Sequence, residues 1–170
     1  MKKILILLFI LVFSFLNYCE GQEVLPLNSN KIIEAMIWEE TRWRFWKTSN
    51  MGCVGLMQIG KATLYDYNVV HKTKWTMEEI RLNPIVNRKI GTWYFQKEIP
   101  KIFGNMNRNL RKKNIEWQIK DTLKNRLIAY NACPNRVKKY NNPDHKEYKR
   151  LPKETRNHIK KVMKRLNSFK

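Results

Sequence analysis

The apolar positions of this chain form two kinds of run. From Ile4 to Phe13 they are unbroken, whereas farther along they recur at the spacing of one helix face. Asn28-Ser29-Asn30 places capping side chains ahead of such a run, which predicts a helix from there to about Trp46. A loop holding Ser49, Asn50, Gly52 and Gly55 then leads into a second helical stretch over about Leu56–Tyr67. Asn83-Pro84 pairs a cap with a first-turn proline and opens a helix through Val86, Ile90 and Tyr94 that ends before Pro100. The polar, basic stretch from Gly104 to Asn114 reads as a surface loop. A further helix is expected over about Trp117–Ala132, with Leu123, Leu127 and Tyr130 on one stripe, halted near Pro134. Leu151-Pro152 opens a last helix with the stripe Ile159, Val162, Met163 and Leu166. No β-type alternation persists and no internal repeat is present, so the expectation is a single, mostly α domain.

The unbroken run changes where that domain starts. MKKILILLFILVFSFLNYCEG has a basic start, an apolar middle and polar residues after it, the layout of a secretory signal peptide. Residues 1–21 are therefore expected to be removed on export, leaving 22–170 as the domain. The apolar segment is short for a membrane span, although an uncleaved anchor is the rival reading. Leu16-Asn17-Tyr18-Cys19 also resembles a lipoprotein box, with Tyr18 bulkier than such boxes prefer. Membrane attachment is expected only if Cys19 is acylated.

With 170 residues the chain supports one real core, not two. Its net charge is +20, and from Lys101 onward 21 basic residues face 5 acidic ones. In a cytosolic protein that balance would suggest nucleic acid. Export redirects it to a polyanion outside the cytoplasm, such as the cell wall or anionic lipid, or to a merely solvated face. Nucleic acid is not an expected partner. Once Cys19 is set aside, Cys53 and Cys133 remain as an even pair in an oxidising compartment. His71, His145 and His158 lack ligand-like spacing, so neither a metal nor another cofactor is expected.

Candidate chemistry concentrates in WEETRWRFWKTSNMGCVGLMQIG, residues 38–60. At ~100° per residue, Ile32, Ile33, Met36, Ile37 and Trp43 fan around one direction. Glu40 lies ~20° from their mean and Glu39 ~80° away, which turns Glu40 toward the apolar side and Glu39 toward solvent. A carboxyl in apolar surroundings is held protonated, as a general acid requires. Spacing alone favours the other reading, a glutamate that pairs with a basic residue at the edge of the core.

Glu40-Thr41, followed by Ser49, Gly52 and Gly55-Leu56-Met57-Gln58, resembles the opening of the lytic transglycosylase family with an SLT domain. There a Glu-Ser pair precedes a Ser-x-x-Gly-Ala-x-Gly-Leu-Met-Gln run. Three later blocks are similar in the same order: Asn83-Pro84 with Asn87, Gly91 and Tyr94; Ala129-Tyr130-Asn131-Ala132; and Leu151-Pro152 with Glu154-Thr155-Arg156. Together they run from about Ile32 to Leu166.

The resemblance implies a lysozyme-like fold with a glycan-binding cleft and peptidoglycan strands as the partner. It implies cleavage of the β-1,4 bond between N-acetylmuramic acid and N-acetylglucosamine with formation of a 1,6-anhydro ring. It makes Glu40 the catalytic acid, and Thr41, Met57, Gln58, Tyr130, Asn131 and Glu154 substrate-binding residues. It places the protein in the periplasm or cell envelope and leaves open a secretion or envelope complex as partner. Four positions depart from the family pattern. Thr41 replaces serine, His158 a tyrosine, Cys53 an alanine and Cys133 a glycine. Because both cysteine segments border the cleft in that fold, the resemblance leads to an expected Cys53–Cys133 disulfide. A goose-type-like lysozyme that uses water and a non-catalytic wall-binding or secretion scaffold are the competing readings.

Overall fold

A computed structural model describes residues 29–142 and 151–169. The expected signal peptide, Cys19 and the start of the domain lie outside the described residues. Among the described residues eight α-helices carry the fold: α1 (Ser29–Thr41), α2 (Lys61–His71), α3 (Met77–Leu82), α4 (Pro84–Trp93), α5 (Ile99–Lys112), α6 (Leu123–Ala132), α7 (Pro134–Asn141) and α8 (Lys153–Ser168). Two isolated antiparallel bridges, Thr48 with Val54 and Val54 with Ile59, are the β pairing among the described residues. The expected class, one mostly helical domain, is the one observed.

At its centre α1 buries Ile32, Ile33, Met36 and Ile37 against a core shared with Met57, Ile90, Phe103, Leu127, Ile128 and Val162. Helix α8 packs along α1 and contributes Ile159, Val162 and Leu166. Met163, expected on that stripe, is exposed. Lys31 Nζ donates to the Phe169 carbonyl at 2.7 Å, and the Arg165 guanidinium stacks 4.3 Å from the Trp38 ring. These contacts fix α8 in register along the face of α1 that carries both glutamates.

Several boundaries differ from the sequence-based expectations. Helix α1 stops at Thr41 rather than Trp46, because Arg42 and Trp43 take left-handed φ values of 50° and 66°. The stretch from Leu56 to Gly60 is a bridged turn, and the helix expected there starts at Lys61. Pro100 does not end a helix. A π-helical turn, Tyr94–Glu98, precedes it, with the Ile99 amide donating to Tyr94 O, and Pro100 sits in the first turn of α5. Its missing N–H costs nothing in that position. Consequently the basic stretch read as a loop is helical to Lys112, burying Phe103 and Leu110 on one side. Helix α6 is shorter than expected and begins only after Thr122, whose side chain accepts from the Asn125 amide. Pro134 starts α7 as well as ending α6.

Candidate functional site

Glu39 and Glu40 both end up on the α8 side of α1, and their side chains are similarly buried, 14% and 17% exposed. Glu39 was expected to lean toward solvent. Instead Arg165, seven residues beyond His158 on α8, reaches it at 3.3 Å. Glu40 faces a different neighbour: His158 Nδ1 stands 3.7 Å from its Oε1. Thus one glutamate meets a guanidinium and the other an imidazole.

Electrostatics separate them further. Burial raises the Glu40 pKa to about 7, with Glu154 and Glu39 adding to the rise and Lys47 opposing it. Burial lowers the His158 pKa to about 4, with Lys161 adding to the fall and Glu39 opposing it. Near pH 6 the pair is therefore a protonated carboxyl beside an uncharged imidazole, not a salt bridge. That is the state of a carboxyl able to give a proton away.

The segment after α1 builds the facing wall. Gly55, at φ +78°, lies so close to Asn87 that an added Cβ would sit 2.0 Å from the Asn87 amide nitrogen. Fully buried Asn87 accepts from the Met57 amide at 2.8 Å and donates to the Val54 carbonyl at 2.9 Å. Gly91 makes room for Met57, whose sulfur would be 2.5 Å from a Cβ there. Tyr130 of α6 then donates from its hydroxyl to the Met57 carbonyl at 2.7 Å. Burial, and Glu40 next to it, hold that phenol well above its usual pKa, so it stays a donor. The Gly-Leu-Met-Gln turn is pinned from α4 and α6 together.

A cleft of about 670 Å³ opens between this turn and α8, lined by Glu39, Glu40, Lys47, Ser49, Gln58, Asn131, Lys153, Glu154, Asn157, His158 and Lys161. Of the residues expected to bind substrate, Gln58, Asn131 and Glu154 line it with Glu40. Gln58, at φ +49°, donates through its amide to Gly55 O (2.9 Å) and Lys47 O (3.2 Å), which holds the side chain in place with its oxygen available. The others stand behind the wall. Thr41 is buried, its hydroxyl between the carbonyls of Ile37 (3.2 Å) and Leu56 (3.1 Å), so it ties α1 to the turn. Met57 is fully buried and Tyr130 holds it from below.

Cys53 and Cys133 are both free thiols, and the disulfide expected from the resemblance is not formed. Cys133 is exposed at the α6–α7 corner with φ 104° and ψ 153°, a conformation that suits glycine. Cys53 is half-buried, and its sulfur would be 3.6 Å from a Cβ on Gly60.

Sequence reasoning passed over Lys47, Lys153, Asn157 and Lys161, which lack any signature of their own, and took His158 only as a departure from the family's tyrosine. The i, i+4 interval from Glu154 to His158 was the available signal, since it puts both on one face of α8. No group of acids, histidines and cysteines suited to a metal occurs among the described residues, and none of their helices is long and apolar enough to cross a membrane.

No curated protein and no solved structure matches the chain significantly. The family model described as the transglycosylase SLT domain matches residues 22–152, ending just before α8. With the helical architecture and the pinned Gly-Leu-Met-Gln turn beside a buried glutamate, that match settles the family: the chain belongs to the transglycosylase SLT-domain family, a lysozyme-like group whose members cleave the glycan of peptidoglycan.

Proposed function

We propose that this protein is a peptidoglycan lytic transglycosylase in which Glu40 is the only catalytic carboxyl, and that residues 22–170 form the exported enzyme after removal of 1–21. The observation that carries this reading is the state of Glu40: buried, facing the cleft, with Lys47 on its backbone carbonyl rather than its carboxyl, and with a pKa that burial raises to about 7, so that much of it still holds its proton at neutral pH.

The chemistry follows from that state. Glu40 gives its proton to the oxygen that links C1 of the muramoyl residue to C4 of N-acetylglucosamine, and the C1–O bond breaks. The muramoyl 2-acetamido group stabilises the electron-poor C1. Glu40, now a carboxylate, takes the proton of the C6 hydroxyl as that oxygen bonds to C1. The 1,6-anhydro ring closes, no water is consumed, and Glu40 ends protonated as it began. A two-carboxylate glycosidase would need a second acid free to act. Glu39 is engaged by Arg165, which supports the single-acid reading.

Glu154 favours one competitor, because it lines the same cleft and acts electrostatically on Glu40. If it activates water, the enzyme is a hydrolase. Mass spectra of fragments released from purified sacculi decide between them. Anhydro-muramoyl ends are expected from the wild type and no release from Glu40→Gln. Reducing ends would make the enzyme a hydrolase, and undiminished release by Glu40→Gln would remove Glu40 as the catalyst.

A further inference from the structure

His158 lies on the buried face of α8, with its Nδ1 3.7 Å from the Glu40 carboxyl. Its side chain is only 8% exposed, and its Nε2 is buried with no hydrogen-bond partner. A neutral imidazole carries one N–H, on either nitrogen. With the hydrogen on Nε2, a donor would be buried without an acceptor. With the hydrogen on Nδ1, that donor has Glu40 Oε1 as its neighbour at 3.7 Å and only a lone pair is left unmatched, the less costly arrangement. The 3.7 Å separation is longer than a hydrogen bond, as catalytic contacts often are before substrate binds.

We propose that His158 is a positioning residue for Glu40: its Nδ1–H holds Oε1, so that Oε2 presents the acid proton to the glycosidic oxygen. The proposal rests on the reading of Glu40 as the catalytic acid. As Glu40 gives up its proton, negative charge grows on the carboxyl and the Nδ1–H contact becomes charge-assisted, roughly twice as strong as a neutral one. The gain is therefore made in the transition state rather than with bound substrate. His158 keeps its single proton throughout. The other groups facing the pair are Glu39 on α1, Lys47 on the following loop, Tyr130 on α6, and Glu154 and Lys161 on α8, with Arg165 held by Glu39.

The test uses the full chain and purified sacculi. Replacing His158→Phe removes the donor and is expected to lower kcat roughly tenfold to a hundredfold with little change in KM. It should also move the alkaline midpoint of the pH–rate profile upward, since the carboxylate form loses a partner. His158→Asn puts an amide N–H near the place of Nδ1 and should recover most of the rate and the midpoint. In the wild type, nitrogen NMR of the His158 ring at pH 6–7 should show Nδ1 protonated and Nε2 bare, a readout that needs no variant to fold. An Nε2–H tautomer overturns the proposal. So does a His158→Phe enzyme with normal kcat and midpoint, or one whose loss Asn does not repair and whose midpoint is unmoved. If Glu40→Gln is inactive while His158→Phe behaves as wild type, only the positioning role fails. If Glu40→Gln stays active, the reading beneath it fails too.

Discussion

Two neighbouring glutamates on one helix acquire different chemistry from what reaches them across 118 to 126 residues of chain. The helical wheel orients Glu40 correctly and misjudges Glu39, because a wheel holds no information about the helix that packs on it. Arg165 lets Glu39 be buried, whereas the uncharged His158 leaves Glu40 to keep its proton. The same pair makes an opposed contribution to stability. Glu40 binds its proton more tightly folded than unfolded, so its term weakens stability as pH rises from about 4.5 through about 7. His158 binds its proton less tightly folded, so its term is lost as pH falls from about 6.5 through about 4. Each shift corresponds to about 3 kcal/mol, and between pH 4.5 and 6.5 the two slopes oppose each other. Urea melts across pH 4–8 should therefore show Glu40→Gln gaining on the wild type as pH rises, by about 2–3 kcal/mol at pH 8. His158→Phe should gain on it as pH falls. Parallel curves for all three proteins would mean that neither group is perturbed.

At the scale of elements, local chemistry was legible wherever a side chain caps or breaks a helix by itself. Asn83-Pro84 opens α4, its side chain accepting from the Val86 amide, and the last helix begins at the expected Leu151-Pro152. Thr76 and Glu79 form a full capping box for α3, a signal present in the sequence and passed over. Pro100 and Pro134 misled because proline stops one helix and tolerates the first turn of the next equally well, and only packing chooses. Cys133 is the element-scale feature least predictable from pattern. Its φ of 104° at the α6–α7 corner is held by the flanking helices, with its amide bonded to Ala129 O and its carbonyl accepting from Arg136. Such a backbone costs a non-glycine residue about 1–3 kcal/mol. Cys133→Gly should therefore stabilise the protein by about 1–2 kcal/mol in denaturant melts, with activity unchanged. The thiol count accompanies that measurement: unreduced, denatured Cys19→Ser protein should titrate two thiols. A single melt with Cys133→Gly less stable, together with no titratable thiol, would show that a disulfide forms and outweighs the strain.

The charge of the whole molecule becomes specific only when it is placed around the cleft. The net +20 pointed to a polyanion without saying which surface meets it. In the cleft, Arg165 offsets Glu39, and Glu40 carries only part of its charge near neutrality, which leaves Glu154 and that partial charge opposite Lys47, Lys153 and Lys161. The walls that hold the acid are thus positive on balance, and Lys153 and Lys161 are exposed among the residues that line it. Peptidoglycan strands carry carboxylates on their lactyl groups or peptide stems, so attraction should act on binding and not on the bond-breaking step. The double substitution Lys153→Ala with Lys161→Ala is expected to raise KM for sacculi roughly threefold to tenfold, about 1 kcal/mol, with kcat unchanged. Raising the salt concentration should erase the difference between variant and wild type, because exposed charges are screened within about 10 Å at 0.1 M. A KM that responds neither to the lysines nor to salt would assign the basic face to solvation alone. A fall in kcat instead would place one of these lysines within reach of the reacting bond.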